Sequence, residues 1–144
     1  MLKSKKGFTL IELMVVVAII GVLALLGLRL YTGQQIKAKN SIVKANAGTV
    51  QTLIQAELAD TTSTLVNTMV GAAAADSPLI TASGIHIPDG VAQTINGTGG
   101  LAADIGKVYV VYDATPGSEF FTINGNSFDV TSVPVYTTSL TARK

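Results

Sequence analysis

The chain has no cysteine. That excludes a disulfide staple, a thiolate metal site and a cysteine nucleophile. It has one histidine, His86, beside Pro88 in a stretch rich in turn residues. One imidazole with scattered acids does not make a metal site, and no nucleophile turn marks a serine for a hydrolytic triad. Gly97-Thr98-Gly99-Gly100 lacks the lysine of a phosphate loop and the strand–helix setting of a dinucleotide site. No catalytic residue, metal or cofactor is therefore expected. Charge is also scarce, at 13% of residues, about half the share in an ordinary soluble domain. Proline is missing before Pro78, so no imino acid interrupts a helix in the first half of the chain.

What the chain has in excess is apolar, and it is concentrated near one end. From Phe8 to Leu28 only Thr9 and Glu12 are polar, and no base lies between Gly7 and Arg29. A bilayer core about 30 Å thick needs about 20 helical residues, so this run can span a membrane. Lys3, Lys5 and Lys6 precede it and would hold that flank in the cytoplasm. An ordinary secretory signal places small residues after its apolar core. Here the small residue, Gly7, comes before it. Cleavage after Gly7 would remove the basic leader and keep the helix; an uncleaved signal anchor is the alternative.

Glu12 is the awkward residue of that run. A carboxylate at the bilayer centre costs roughly 2.5–3.5 kcal/mol even on permissive scales. Two partners are open to it. Thr9 and Glu12 fit the S/T-x-x-E capping box, which satisfies orphan donors at a helix start. An ammonium on another chain would also neutralise the acid, and the two readings can coexist.

Beyond the span, Arg29, Lys37, Lys39 and Lys44 form a basic stripe, either juxtamembrane or paired with acids of neighbouring chains. Past Glu57 acids outnumber bases seven to three. That argues against a nucleic-acid site there, because phosphate contacts need clustered Lys or Arg. Ile36, Val43, Ala47, Val50, Ile54 and Leu58 recur with helical period. They predict one helix from Phe8 to about Leu58, about 75 Å long. Ala18, Gly21, Ala24 and Gly27 recur every third residue and allow close helix approach.

The rest predicts an α+β fold. Its long helix would pack, through the amphipathic half at 29–58, on three or four antiparallel strands within 107–144. The connecting region 59–106 is loop-rich. It has a turn at Thr61–Thr64, a short helix at Leu65–Ala75, and punctuation at Ser77-Pro78, Pro88-Asp89-Gly90 and Asn96–Gly100. Short strands are expected at Ile85–Ile87 and Val91–Ile95. Further strands are expected at Lys107–Tyr112, Glu119–Ile123 and Ser127–Thr131, the last two joined by a hairpin turn at Asn124-Gly125-Asn126. Pro134 opens a final strand, Val135 to about Leu140.

Lys6-Gly7-Phe8-Thr9-Leu10-Ile11-Glu12, followed by the apolar run through Gly21 and Ala24, resembles the N-terminus of type IV pilins, in particular type IVa-like prepilins. The resemblance implies that residues 1–7 are a leader removed between Gly7 and Phe8 by a prepilin peptidase, which also N-methylates Phe8. It implies that Phe8, Thr9 and Glu12 act in assembly, with Glu12 meeting the new ammonium of Phe8 on a neighbour. Residues 8–28 would anchor the precursor in the inner membrane and then form the core of a homopolymeric surface filament. A separate assembly platform and ATPase would drive polymerisation, and adhesion, motility or uptake would be its use. Tyr31 matches an aromatic common in these pilins. Arg29 departs from them where many carry proline, which leaves Gly21 and Gly27 as the points of helix flexibility. Two rivals follow. One is a major pseudopilin of a type II secretion system, although Asp104, Asp113 and Asp129 are too dispersed for the calcium loop common there. The other is a monomeric, signal-anchored binding protein.

Overall fold

A computed structural model describes residues 7–70, 77–89, 105–128 and 133–142. Its elements are α1 (Leu10–Asp60), α2 (Ser63–Val70), α3 (Pro78–Ser83), β1 (Val108–Asp113), β2 (Phe120–Asn126) and β3 (Pro134–Thr141). The chain divides into two compact units, residues 1–35 and 36–144, and α1 contributes to both.

In the first unit every described residue is exposed. The 51-residue α1 starts at Leu10 rather than Phe8. Thr9 is its N-cap, so its own backbone is not yet helical. The helix is long and apolar enough to cross a membrane.

In the second unit α1 buries Val43, Ala47, Val50 and Ile54 completely. These positions step by four, three and four, which keeps them on one stripe of a 3.6-residue helix. They join Val108, Phe121, Ile123 and Leu140 of the sheet, with Val66 and Val70 of α2, in one core. Burying one such side chain contributes about 1.5–3 kcal/mol. The stripe begins at Val43; Ile36, which shares its phase, is exposed.

The sheet has three antiparallel strands in the order β1-β2-β3. Val108 faces Gly125 and Tyr112 faces Phe121 in the first pairing. Phe121 faces Leu140 and Gly125 faces Tyr136 in the second. Alternation then turns Val108, Val110, Tyr112, Phe121, Ile123 and Leu140 toward the core. The Tyr112 and Phe121 rings stack with centroids 4.7 Å apart.

Several expectations are corrected here. Asn124-Gly125-Asn126 is not a hairpin turn; it is the last stretch of β2. A side chain at Gly125 would place Cβ 2.9 Å from Cγ1 of Val43, so the glycine makes room for α1. Asn124 accepts a hydrogen bond from the Thr137 hydroxyl across the sheet (2.8 Å), and Asn126 is fully buried. A register shift at Gly125/Asn126 ends the regular pairing. Ser127 and Phe128 lie outside any strand, and the rest of the strand expected at Ser127–Thr131 lies outside the described residues.

The turn that does join two strands is Thr115-Pro116-Gly117-Ser118. The Ser118 N–H donates to the Thr115 carbonyl (2.9 Å). Proline second and a glycine third, at φ 85°, give a type II turn.

The connecting region is more helical than expected. Ser63, assigned to a turn, opens α2, which stops at Val70; residues 71–75 of the expected helix lie outside the described residues. Ser77-Pro78, read as a break, starts α3 instead. Proline suits a first helical position, where its missing N–H has no partner to lose. Ile85–Ile87 forms no strand, only a single bridge residue at His86, and Val91–Ile95 lies outside the described residues.

Candidate functional site

The candidate site of the first unit is the start of α1. The Thr9 N–H donates to Glu12 Oε2 at 2.9 Å, and the Thr9 hydroxyl donates to the same oxygen at 2.7 Å. In return the Glu12 N–H donates to Thr9 Oγ1 at 3.4 Å. This is the reciprocal capping box that the S/T-x-x-E spacing dictates. Both bonds to the carboxylate use Oε2, so Oε1 keeps its acceptor capacity. One acid therefore serves its own helix and retains an oxygen for a second donor.

Around this cap no described residue provides cover. The large apolar side chains from Phe8 to Tyr31 are 48–87% exposed, with Phe8 the most exposed. Gly7, Gly21 and Gly27 have no neighbour within 4 Å of a Cβ position. The helix runs unbroken through Gly21, Gly27 and Arg29. The backbone carbonyl of Arg29 also accepts the Thr32 hydroxyl at 3.0 Å. A helix apolar on all sides and bare on all sides has its burial partner elsewhere, in lipid or in other chains.

In the second unit, side chains of α1 fasten two distant segments. Lys39 Nζ pairs with Asp89 at 3.0 Å and lies 3.9 Å from the centre of the Phe128 ring. Asn40 Oδ1 accepts the Phe128 N–H at 2.7 Å. Buried Asn46 donates to the His86 carbonyl at 2.7 Å. Lys39, expected at a membrane face or on another chain's acid, has its partner within this chain. His86 is held by its backbone, and its Nδ1 lies 2.7 Å from the Gly84 carbonyl. The sequence reading missed Asn40 and Asn46, although a signal was present. Asn40 falls four residues after Ile36, on the apolar stripe itself, where an amide needs a tertiary partner.

A cleft of about 310 Å³ lies near the end of α1, lined by Leu58, Thr61, Thr62, Ser63, Thr64, Glu119 and Ala142. Ser63 donates to Glu119 Oε2 at 2.5 Å, and the Tyr112 hydroxyl donates to Ser63 at 3.2 Å. Asp113 accepts the Thr115 hydroxyl at 2.5 Å and the Thr115 N–H at 2.9 Å. Those two donors hold its carboxyl below the usual carboxylate range, the hydroxyl contributing most. Among the described residues no group of three His, Cys, Asp or Glu is placed to hold a metal ion.

Residues 2–28 match the family described as "Prokaryotic N-terminal methylation motif". Three similar proteins carry fimbrial names. The fimbrial protein EcpB of Eikenella corrodens is 47% identical over 39% of this chain and 35% of its own length. A probable minor fimbrial protein of Dichelobacter nodosus is 40% identical over 64% of this chain and 54% of its own. The type IV major fimbrial protein FimA of the same organism is 45% identical over 39% of this chain and 36% of its own. The chain thus spans between about a third and about half of the length of these relatives. No solved structure matches it.

Proposed function

We propose that this chain, whose residues 2–28 match the prokaryotic N-terminal methylation motif, is a structural subunit of a type IV pilus. The precursor sits in the inner membrane through residues 8–28. A prepilin peptidase cuts between Gly7 and Phe8 and methylates the new α-amino group. An assembly platform and its ATPase then extract the helix from lipid and add it to a growing surface filament. The chain catalyses none of these steps. Its contribution is a surface that polymerises, used in adhesion, motility or uptake.

One observation carries the reading. The methylation motif covers an apolar segment, residues 8–28, that no described residue of its own chain covers, and the one acid of that segment keeps one oxygen unbonded. In lipid the apolar side chains are satisfied but Glu12 is not fully so. In a filament both are satisfied at once. The apolar surfaces pack on one another, and Oε1 receives the Phe8 ammonium of a neighbour, which offsets much of the desolvation cost of the carboxylate.

The test is to shear fibres from the cell surface and identify the subunit and its mature N-terminus by mass spectrometry. Long fibres of this chain, beginning at methylated Phe8, are expected. Glu12→Ala should leave insertion and cleavage intact and sharply reduce fibres. Normal fibre yield from that variant would sink the pairing of Glu12, and an intact Met1 in the surface material would sink the pilin reading itself.

A further inference from the structure

The second unit's share of α1 carries opposite charges that no described residue of its own chain compensates. Lys39 is neutralised by Asp89. Lys37 and Lys44 are exposed, and among the described residues their side chains have no ion pair or hydrogen bond. They sit at i and i+7, about 20° apart around the helix axis, and so form one face.

The other pole is the end of the same helix. Glu57 and Asp60, at i and i+3, are neighbours on its surface, and the last turn of α1 holds no base. Among the described residues neither carboxylate has an ion pair. The unsatisfied carbonyls of a helix C-terminus carry partial negative charge and favour a cation there. Glu119, across the cleft that Leu58 and Thr61 line, adds another carboxylate to that end. Lys44 and Asp60 are about 24 Å apart along α1, and Lys37 and Glu57 about 30 Å. No side chain bridges that distance, so neither pair can close within one chain.

We propose that the Lys37–Lys44 face of one subunit docks on the Glu57–Asp60 end of a second copy. This interface rests on the pilus reading and specifies it further. The copy is displaced by about 24–30 Å along the helix axis. Such a contact is head-to-tail: each subunit gives its basic face to one neighbour and its acidic end to another. Contacts of that kind propagate into an open helical array rather than closing as a dimer. The neighbour is not the one that meets Glu12. Phe8 and Glu12 are only four residues apart in the chain, so that pairing uses a much smaller displacement. Two independent electrostatic registers then fix each subunit, one within the apolar core and one outside it.

Zero-length carbodiimide cross-linking tests the interface on intact wild-type fibres, because it joins only an amine and a carboxylate already in contact. Fibres assembled from isotope-labelled and unlabelled subunits identify links between chains. An interchain peptide joining Lys37 or Lys44 to Glu57 or Asp60 is expected. Intact fibres in which those acids link only to Lys144, or to no lysine, overturn the interface and leave the pilus reading standing. Absence of this subunit from any fibre overturns both. Charge exchange gives a second arm. Lys44→Glu and Asp60→Lys should each lower sheared-fibre yield about fivefold at equal precursor level. Their combination in one chain should restore yield to within about twofold of wild type. A combination no better than the weaker single variant overturns the proposal.

Discussion

Gly125→Ala tests whether the fit between α1 and the sheet is set by a missing side chain. The new methyl would lie 2.9 Å from Val43 Cγ1 and 3.6 Å from both the Val43 carbonyl oxygen and the Tyr136 Cβ. Val43 is fully buried, and a helical valine has one strongly preferred rotamer, so its methyl has no inexpensive way out. The carbonyl belongs to the helix ladder and cannot turn. What yields is the spacing of α1 and β2, at a cost of about 1–3 kcal/mol for overpacking. Alanine restricts the unfolded chain and recovers about 0.4–1 kcal/mol, so the net loss is about 1–2 kcal/mol. In a domain of this size that lowers Tm by about 4–8 °C. Urea titration of the full chain in detergent, followed by near-UV tyrosine dichroism, reads the loss. Tyr109, Tyr112 and Tyr136 lie in the sheet and there is no tryptophan. Val43→Ala alone should cost about 2 kcal/mol as a cavity. With Gly125→Ala the two changes share one space, so the double variant should be more stable than the sum of the singles by about 1 kcal/mol. Strict additivity, or an undiminished Gly125→Ala, would refute the steric argument.

Other outcomes follow from the hydrogen bonds. Asn46→Leu strands the His86 carbonyl, removing a 2.7 Å bond from a buried amide, and should lower the urea-derived stability by about 1–3 kcal/mol. Asp113, with its pKa depressed by the Thr115 hydroxyl and N–H, contributes stability that is present above its unfolded pKa. That contribution is lost as pH falls through the lower folded value. Asp113→Asn should therefore flatten the acid limb of the urea midpoint, with little change near neutral pH; an unchanged acid limb would count against it. Thr9→Val removes the capping hydroxyl and should cost about 1 kcal/mol of helix start, read as amide exchange in the first turn, while fibres still form. Glu12→Gln keeps an acceptor for the cap but removes the charge, and it should cut fibre yield far more than Thr9→Val does. Equal losses from the two would mean that the cap, not the charge, matters to assembly.

How much was legible in the residues depended on how local the cause was. The capping box is set by two side chains three residues apart, and it forms as spaced. The apolar stripe from Val43 to Ile54 needs only helical period, and Pro134 opens β3 because a strand's first residue can spare its N–H. Asn124-Gly125-Asn126 misled for the opposite reason. Its glycine answers to Val43, far away in sequence, while the local turn propensity is overridden. The true turn, Thr115-Pro116-Gly117-Ser118, carries an equally local signal that went unread. Pro78 carries an ambiguous signal, because the same residue ends one helix or begins the next. Asn40 and Asn46 had to be explained by the segments they hold, and no spacing names those.

Glu12 changes most in meaning. Read from residues alone, cap and interchain pairing are two readings of one carboxylate that can coexist. The geometry gives that coexistence a form, because the cap takes Oε2 twice and Oε1 not at all. Holding a long acidic side chain in one rotamer costs up to about 1.5–2 kcal/mol of entropy. The cap meets that cost inside the single subunit, before any neighbour arrives. A neighbour's ammonium, on the proposed pairing, would meet an oxygen already placed, and the attraction would not be spent on ordering the side chain. On the proposed assembly role, the local cap and the pairing would be consecutive uses of one acid, the first making the second stronger.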